Sequence, residues 1–276
     1  MNKWAYASMT WKEVNDAVQA RRVILIPLAA IEQHGPHLPI DTDNLIAGHY
    51  CDEAAKRRPD LLVSTPCIEY GYNEHNMDFP GTISIRPETL LHYYFDVGES
   101  FARQGFDRIL YVNAHGGNAQ IANLAARMVV THTPAVAAAI NSWELAKEAM
   151  VRLRESHSPG GMSHACEYET SVYLHVRPDL VKRDEVVDEY PLGRVDGWHW
   201  IDMLDGAPLQ FTDIYSRNTR TGVEGAPSLA SKEKGREFAE TAIQGLIHLA
   251  EGFRSMVVHP RKDFRVKQSG GCDSAS

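Results

Sequence analysis

The chain has 276 residues, a hydrophobic fraction of 43%, a charged fraction of 23% and a formal net charge of −8. This is the composition of a globular chain long enough for a sizeable core, and it excludes a largely disordered one. The acidic balance, with no concentrated basic patch, excludes nucleic acid and anionic membrane surfaces as partners, and no apolar run reaches the ~18 residues of a membrane-spanning helix.

Thr10 to Glu13 forms a capping box that opens a short helix, and RVILIPLAA (22–30) follows as a continuous apolar, β-branched run ended by prolines and polar residues. That run predicts a buried strand. Asp43 to Arg58 has helical spacing and LLVSTPC (61–67) returns as a strand. Pro87 then starts the helix PETLLHYYFDVGESFARQG, which Gly105 ends. DRILYVNAHGG (107–117) is the next strand, followed by a helix over 118–132, the strand PAVAAAIN (134–141) and a helix over 143–156. Alternation of this kind predicts a mostly parallel sheet covered by helices on both faces, with ligands gathered at the carboxyl ends of its strands.

Residues 163–176 predict a helix and 190–228, rich in Gly, Pro and aromatics, a long ordered loop that forms a lid or a subunit contact. A final amphipathic helix spans 231–253, and KQSGGCDSAS is expected to fray. Residues 1–260 are thus expected to form a single domain and 261–276 a polar tail. Cysteines 51, 67, 166 and 272 form no CxxC pair and the N-terminus lacks the apolar core of a signal peptide, so the cytoplasm is the expected compartment.

Chemistry concentrates in three segments. In LAAIEQHGPHLPIDTDN (28–44), residues two apart share a face of extended chain, so Glu32 and His34 reach one point while Gln33 points away. Gly35, Pro36 and Pro39 turn the chain, and Asp43 in the first helical turn comes back over the strand end. There it acts either as a bridge between two cations or as a plain N-cap. His37 either lines a pocket or lies on the surface. The second segment, NAHGGN (113–118), adds His115 to the same sheet edge, with Gly116 and Gly117 allowing close approach of a ligand to backbone N–H groups. In the third, MSHACEYETSVYL (162–174), His164 and Glu167 share a helix face. Glu169, facing elsewhere, reads as a helix-start charge or a buried structural carboxylate, and Cys166 as a packed thiol.

IEQHGPHLPIDTD, FPGTISI (79–85), VNAHGGN, SHACEYETS and GVEGAPSLASKEKG (222–235) resemble, in that order, the signature stretches of the creatininase (creatinine amidohydrolase) family over about residues 8–253. The resemblance implies a three-layer α/β/α sandwich, a homo-oligomer, often a hexamer, and one or two divalent metals per subunit. It implies that Glu32, Asp43 and His115 hold one metal, that His34 and a bridging Asp43 hold the other, and that His164 handles protons. Creatininase itself carries a glutamate where this chain has Gly117, which speaks against creatinine as substrate. Glu167, within an HACEYET segment matching the HAGExET of other members except at Cys166, is the expected replacement ligand.

Carboxylate and imidazole donors accept zinc, the first expectation, or manganese or iron. Two cations ~3.5–4 Å apart share a hydroxide and polarise a carbonyl. With His164 as general acid and Gly116 and Gly117 offering backbone donors to the oxyanion, the expected reaction is hydrolysis of a C–N bond in a small cyclic amide or formamide. The alternatives are hydrolysis of a C–C bond in a cyclic polyol diketone on the same site, and a non-catalytic subunit binding a metal or metabolite.

Overall fold

The computed structural model describes residues 3–191 and 195–265. Its chain opens with α1 (Trp11–Gln19), where Thr10 and Glu13 form the expected reciprocal cap. The run VILIPL then forms β1 (Val23–Leu28), buried at every position because both faces of this strand are covered. There follow α2 (Thr42–Arg57), β2 (Leu62–Ser64), α3 (Pro87–Arg103), β3 (Arg108–Asn113), α4 (Ala119–His132), β4 (Val136–Asn141) and α5 (Ser142–Leu153). The four strands make one parallel sheet in the order β2-β1-β3-β4, with Leu25 level with Ser64 on one side and with Leu110 on the other.

Alternate residues of the central strands feed two cores. Leu25, Leu110 and Val112 pack against Ile46 and Tyr50 of α2 and Leu145 and Met150 of α5. Ile24, Ile26 and Tyr111 face Leu90 and Tyr94 of α3 and Val129 of α4. The result is the expected α/β/α sandwich around a parallel sheet.

The expected helix over 163–176 is corrected. Met162–His164 is a strand, β5, paired antiparallel with β6 (Glu224–Gly225), and Ala165 at φ 51° turns the chain before α6 (Glu167–Val176) begins. His164 and Glu167 therefore do not share a helix face. α7 (Lys232–Ser255) runs along α5 and α6 and completes the first core with Phe238 and Leu246. Between α6 and α7 the described part of the long loop is ordered by short 3-10 turns and crosses the carboxyl end of the sheet. Asp202 anchors it by taking both Arg154 guanidinium nitrogens at 2.9 and 2.6 Å.

Residues 261–265 are exposed, while the segment KQSGGCDSAS and Cys272, expected to fray, lie outside the described residues. No helix among the described residues is long and apolar enough to cross a membrane.

Candidate metal centre and active site

β1 ends at Leu28, and the following loop turns at Gly35, whose positive φ of 66° suits glycine. This turn and the start of α2 bring Glu32, His34 and Asp43 together under the tip of β3, which supplies His115. All four are buried. His115 Nδ1 lies 3.0 Å from Glu32 Oε1 and 3.2 Å from Asp43 Oδ2, while His34 Nε2 lies 3.4 Å from Asp43 Oδ1. The two oxygens of Asp43 thus face two different imidazoles, as a bridging carboxylate requires.

Glu169, expected to be structural, completes the second half. Its Oε1 lies 3.8 Å from His34 Nε2, and its Oε2 accepts from the Cys166 N–H at 3.3 Å and contacts the Cys166 thiol at 3.8 Å. Glu167, expected to be that ligand, goes elsewhere. Its carboxylate takes the N–H groups of Glu155 and Ser156 at 3.1 and 3.0 Å and the ammonium of Lys234 at 2.5 Å. The turn at Ala165 sets the helical phase so that the third residue of α6, not the first, faces the sheet edge. Gly117 explains why no glutamate follows His115: a Cβ there would stand 2.3 Å from Tyr72 O and 2.5 Å from His115 Nε2.

The hydrogen bonds fix which imidazole nitrogen carries a proton. His115 Nε2 donates to Tyr72 O at 2.9 Å and His34 Nδ1 to Glu32 O at 3.2 Å, so in the neutral rings the lone pairs of His115 Nδ1 and His34 Nε2 face carboxylates. His34 Nε2 and Asp43 Oδ2 are buried without a hydrogen bond. Burial resists charge on both imidazoles, yet Asp43 at His34 and Glu32 at His115 outweigh it and hold their pKa values well above the ordinary one. Three buried carboxylates around these rings need compensating positive charge, which protons on the imidazoles or cations between them supply. Three overlapping groups bring donor atoms close enough to share an ion: Glu32, His34 and His164; Glu32, His75 and His115; and His34, Asp43 and Glu169. Each group has its donor atoms within 4.8 Å of one another.

Around this centre lie groups that sequence reasoning missed. Gln33, read as pointing away, donates through its amide to Asn76 Oδ1 and Gly222 O, both at 3.0 Å, and Asn76 in turn donates to Glu32 Oε2 at 2.9 Å. His164 Nε2 donates to Gln33 O at 2.7 Å, leaving Nδ1 3.7 Å from Glu32 Oε1. Burial, reinforced by His34, lowers the His164 pKa and favours the neutral ring. His75 stacks on His115 with centroids 5.8 Å apart, and burial drives its pKa down to about 4. The polar run NEHNMD (73–78) before FPGTISI was the available signal for Asn76 and His75.

A cavity of about 620 Å³ opens over the centre, lined by Glu32, Asp43, His115 and Glu169 at its floor, by Gly116 and Gly117, and by Trp200 and Phe211 of the long loop. His37, a candidate for substrate contact, is not in that lining. It is buried beneath α6 with Nε2 at 2.9 Å from Thr170 Oγ1, because the turn at Gly35 directs its ring inward. Trp198, 62% exposed, also stands outside.

An α/β/α sandwich with carboxylates and imidazoles converging at the carboxyl edge of its sheet defines a metal-dependent hydrolase. The sequence profile described as Creatinine amidohydrolase matches residues 7–250. The chain is 36% identical to a mycofactocin precursor peptide peptidase of Mycobacterium ulcerans over 226 residues, 79% of this chain and 80% of that protein. It is 28% identical to creatinine amidohydrolase of Pseudomonas putida (86% and 92% covered) and 26% to 3-dehydro-scyllo-inosose hydrolase of Thermotoga maritima (87% and 80%). Among solved structures it superposes on a mutant creatininase of Zn-Zn type with a TM-score of 0.77 at 26% identity, and on a manganese creatininase with 0.78 at 25%. These matches cover 92% and 91% of this chain and 99% of each of those. The chain belongs to the creatininase family, and it is an enzyme, a metal-dependent hydrolase, rather than a non-catalytic binding subunit.

Proposed function

We propose that the protein hydrolyses the C–N bond of an amide more extended than a bare cyclic amide, with a peptide-like substrate the best fit. The reading is carried by the cavity of about 620 Å³, which runs from the floor of ligand side chains out past Trp200 and Phe211. That volume lies within the range of sites for drug-sized ligands. The 36% identity to a peptide peptidase agrees with it, as does Gly117 in place of the creatininase glutamate.

Divalent ions, when bound, supply Lewis acidity that makes water a nucleophile near neutral pH and polarises a carbonyl. Glu32, Asp43 and His115 would hold one ion and His34, Asp43 and Glu169 the other, zinc or manganese by analogy with the solved relatives. His164 moves the proton. Its Nε2–H is tied to Gln33 O, so Nδ1 faces the centre and can accept a proton from the attacking water and return it to the leaving nitrogen. The water oxygen bonds to the carbonyl carbon, the C–N bond breaks, and the nitrogen leaves as an amine. Gly116, on the cavity wall with open space where a Cβ would stand, leaves room for the carbonyl to approach.

The wider reading is a cytoplasmic homo-oligomer, a hexamer as in the family, built from one catalytic domain over residues 1–260 and acting on a small polar metabolite or short peptide. Support comes from the family resemblance and the cysteine pattern. A second reading, hydrolysis of a C–C bond in a cyclic polyol diketone, rests on the relative from Thermotoga maritima that matches 87% of the chain.

A panel of peptides, cyclic amides, formamides and cyclic diketones, offered to zinc- and manganese-loaded protein, separates these readings. Peptides are expected to react fastest, with His164→Ala lowering kcat by ~10²–10⁴-fold while metal content stays that of the wild type. Preference for a diketone would replace the amide reading, and undiminished turnover by His164→Ala would remove the proposed proton carrier.

A further inference from the structure

Above the ligand side chains stands a phenol that the proposed reaction has not used. The ring of Tyr215 lies edge-on to two imidazoles, 5.1 Å from the centroid of His75 at 67° and 5.1 Å from that of His164 at 74°. It lines the cavity together with Glu32, Asp43, His115 and Glu169.

The 3-10 turn that carries it, Tyr215–Arg217, is held on several sides. Arg217 pairs with Asp213 at 2.9 Å, and the Asn218 and Thr219 N–H groups close on Tyr215 O at 2.8 and 2.9 Å. The Ser216 hydroxyl donates to Asp78. Just beyond, the Glu189 carboxylate takes the hydroxyls of Thr219 and Thr221, both at 2.5 Å, and the N–H groups of Arg220 and Thr221 at 2.8 and 2.9 Å. Such anchoring places the ring without freedom to swing away.

The contacts with the two imidazoles need only a ring, and phenylalanine would supply them. The hydroxyl has no hydrogen-bond partner among the described residues. The oxygen is not among the fully buried atoms that lack a partner, so it opens on the cavity, where a ligand atom can replace water as its partner. Burial, and after it the carboxylates of Glu224, Glu32, Glu169 and Asp43, push its pKa up, which keeps the proton on the oxygen.

We infer that the Tyr215 hydroxyl donates a hydrogen bond to the carbonyl oxygen of the scissile amide as negative charge gathers there, which makes Tyr215 a catalytic residue; this rests on the amide-hydrolase reading above. As the water oxygen bonds to the carbonyl carbon, the π pair moves onto the carbonyl oxygen and Tyr215 keeps its proton while donating. When that pair re-forms the C=O bond, the C–N bond breaks and the nitrogen takes its proton from His164. No further reactant enters.

Tyr215→Phe removes the hydroxyl and leaves the ring. Against the best peptide of the panel its kcat should fall ~10²-fold, the size of one lost oxyanion donor, with KM changed by less than about twofold. Metal content and Tm should match the wild type. A phosphinic pseudodipeptide, which mimics the tetrahedral carbon, gives a readout independent of turnover. Its Kd for the zinc-loaded protein should rise by about the same factor as kcat/KM falls. Unchanged kcat and unchanged phosphinate affinity would overturn the inference, and so would a rise in KM alone, which marks a ground-state contact. Failure of the wild type both to hydrolyse any amide and to bind the phosphinate would overturn the amide reading itself and this inference with it.

Discussion

Glu167 and Glu169 lie two positions apart in the first turn of α6, both buried, and their carboxylates face opposite ways. The sequence does not separate them, because the choice depends on where the helix begins. With a helix running from Ser163, Glu167 would share a face with His164. The positive φ of Ala165 starts the helix later and hands the centre to Glu169. The two substitutions should therefore behave differently. Glu169→Gln is expected to lower bound zinc from two ions to one per chain by atomic emission, with little change in Tm of the metal-free protein. Glu167→Gln should keep both ions but cost ~1–3 kcal/mol in denaturant unfolding, since Lys234 and two backbone N–H groups lose a charged partner. Glu167 also carries a pH signature. Burial opposes its charge, but Lys234 and the Ser156 and Glu155 N–H groups hold its pKa below the ordinary 4.5. Its stabilisation is complete above 4.5 and is lost as pH falls through the lowered folded value. The wild type should lose stability relative to Glu167→Gln as pH falls from about 4.5 through the lowered folded value, and equal loss in both would contradict the assignment.

At the scale of elements, legibility followed strand length. β1, β3 and β4 are long, apolar and flanked by helices, so their composition announces them. β5 has three residues and pairs with β6 some sixty positions later, a non-local contact that leaves no local pattern. Strand tips told which side chains would gather: Glu32, His34, Asp43 and His115 converge as their positions imply. Gln33 did not stand out, because an amide's place in a hydrogen-bond network has no sequence signature, and Asn76 was marked only by the polar run that holds it. The loop over the cavity depends on the buried Arg154–Asp202 pair, which also takes the Gly160 N–H at 2.8 Å and the Leu204 N–H at 3.0 Å. Asp202→Asn leaves a buried guanidinium without its counter-charge, a change that costs ~3–5 kcal/mol when the structure cannot relax. Limited proteolysis should then cut within 198–211 well before the rest of the chain opens, with metal content retained. Resistance equal to the wild type would show that the pair does not hold the loop.

For the whole molecule, the buried centre couples metal binding to folding. The three buried carboxylates of the centre repel one another and bound cations offset that repulsion, so removing metal with a chelator should lower Tm and restoring zinc should raise it again. Each ion present at ~1,000 times its Kd adds ~4 kcal/mol to the stability of the native state. The fold class was legible because the order of strands and helices determines it, whereas the substrate was not, since the cavity wall comes from a loop whose path no periodicity records.

The most direct test of a two-ion centre is the metal content of the purified protein and of its Asp43→Asn variant. Inductively coupled plasma analysis should find two divalent ions per chain in the first and fewer than one in the second, because Asp43 presents one carboxylate oxygen to His34 and the other to His115. A wild type free of metal after zinc or manganese is supplied, or a variant that still holds two ions, would contradict it.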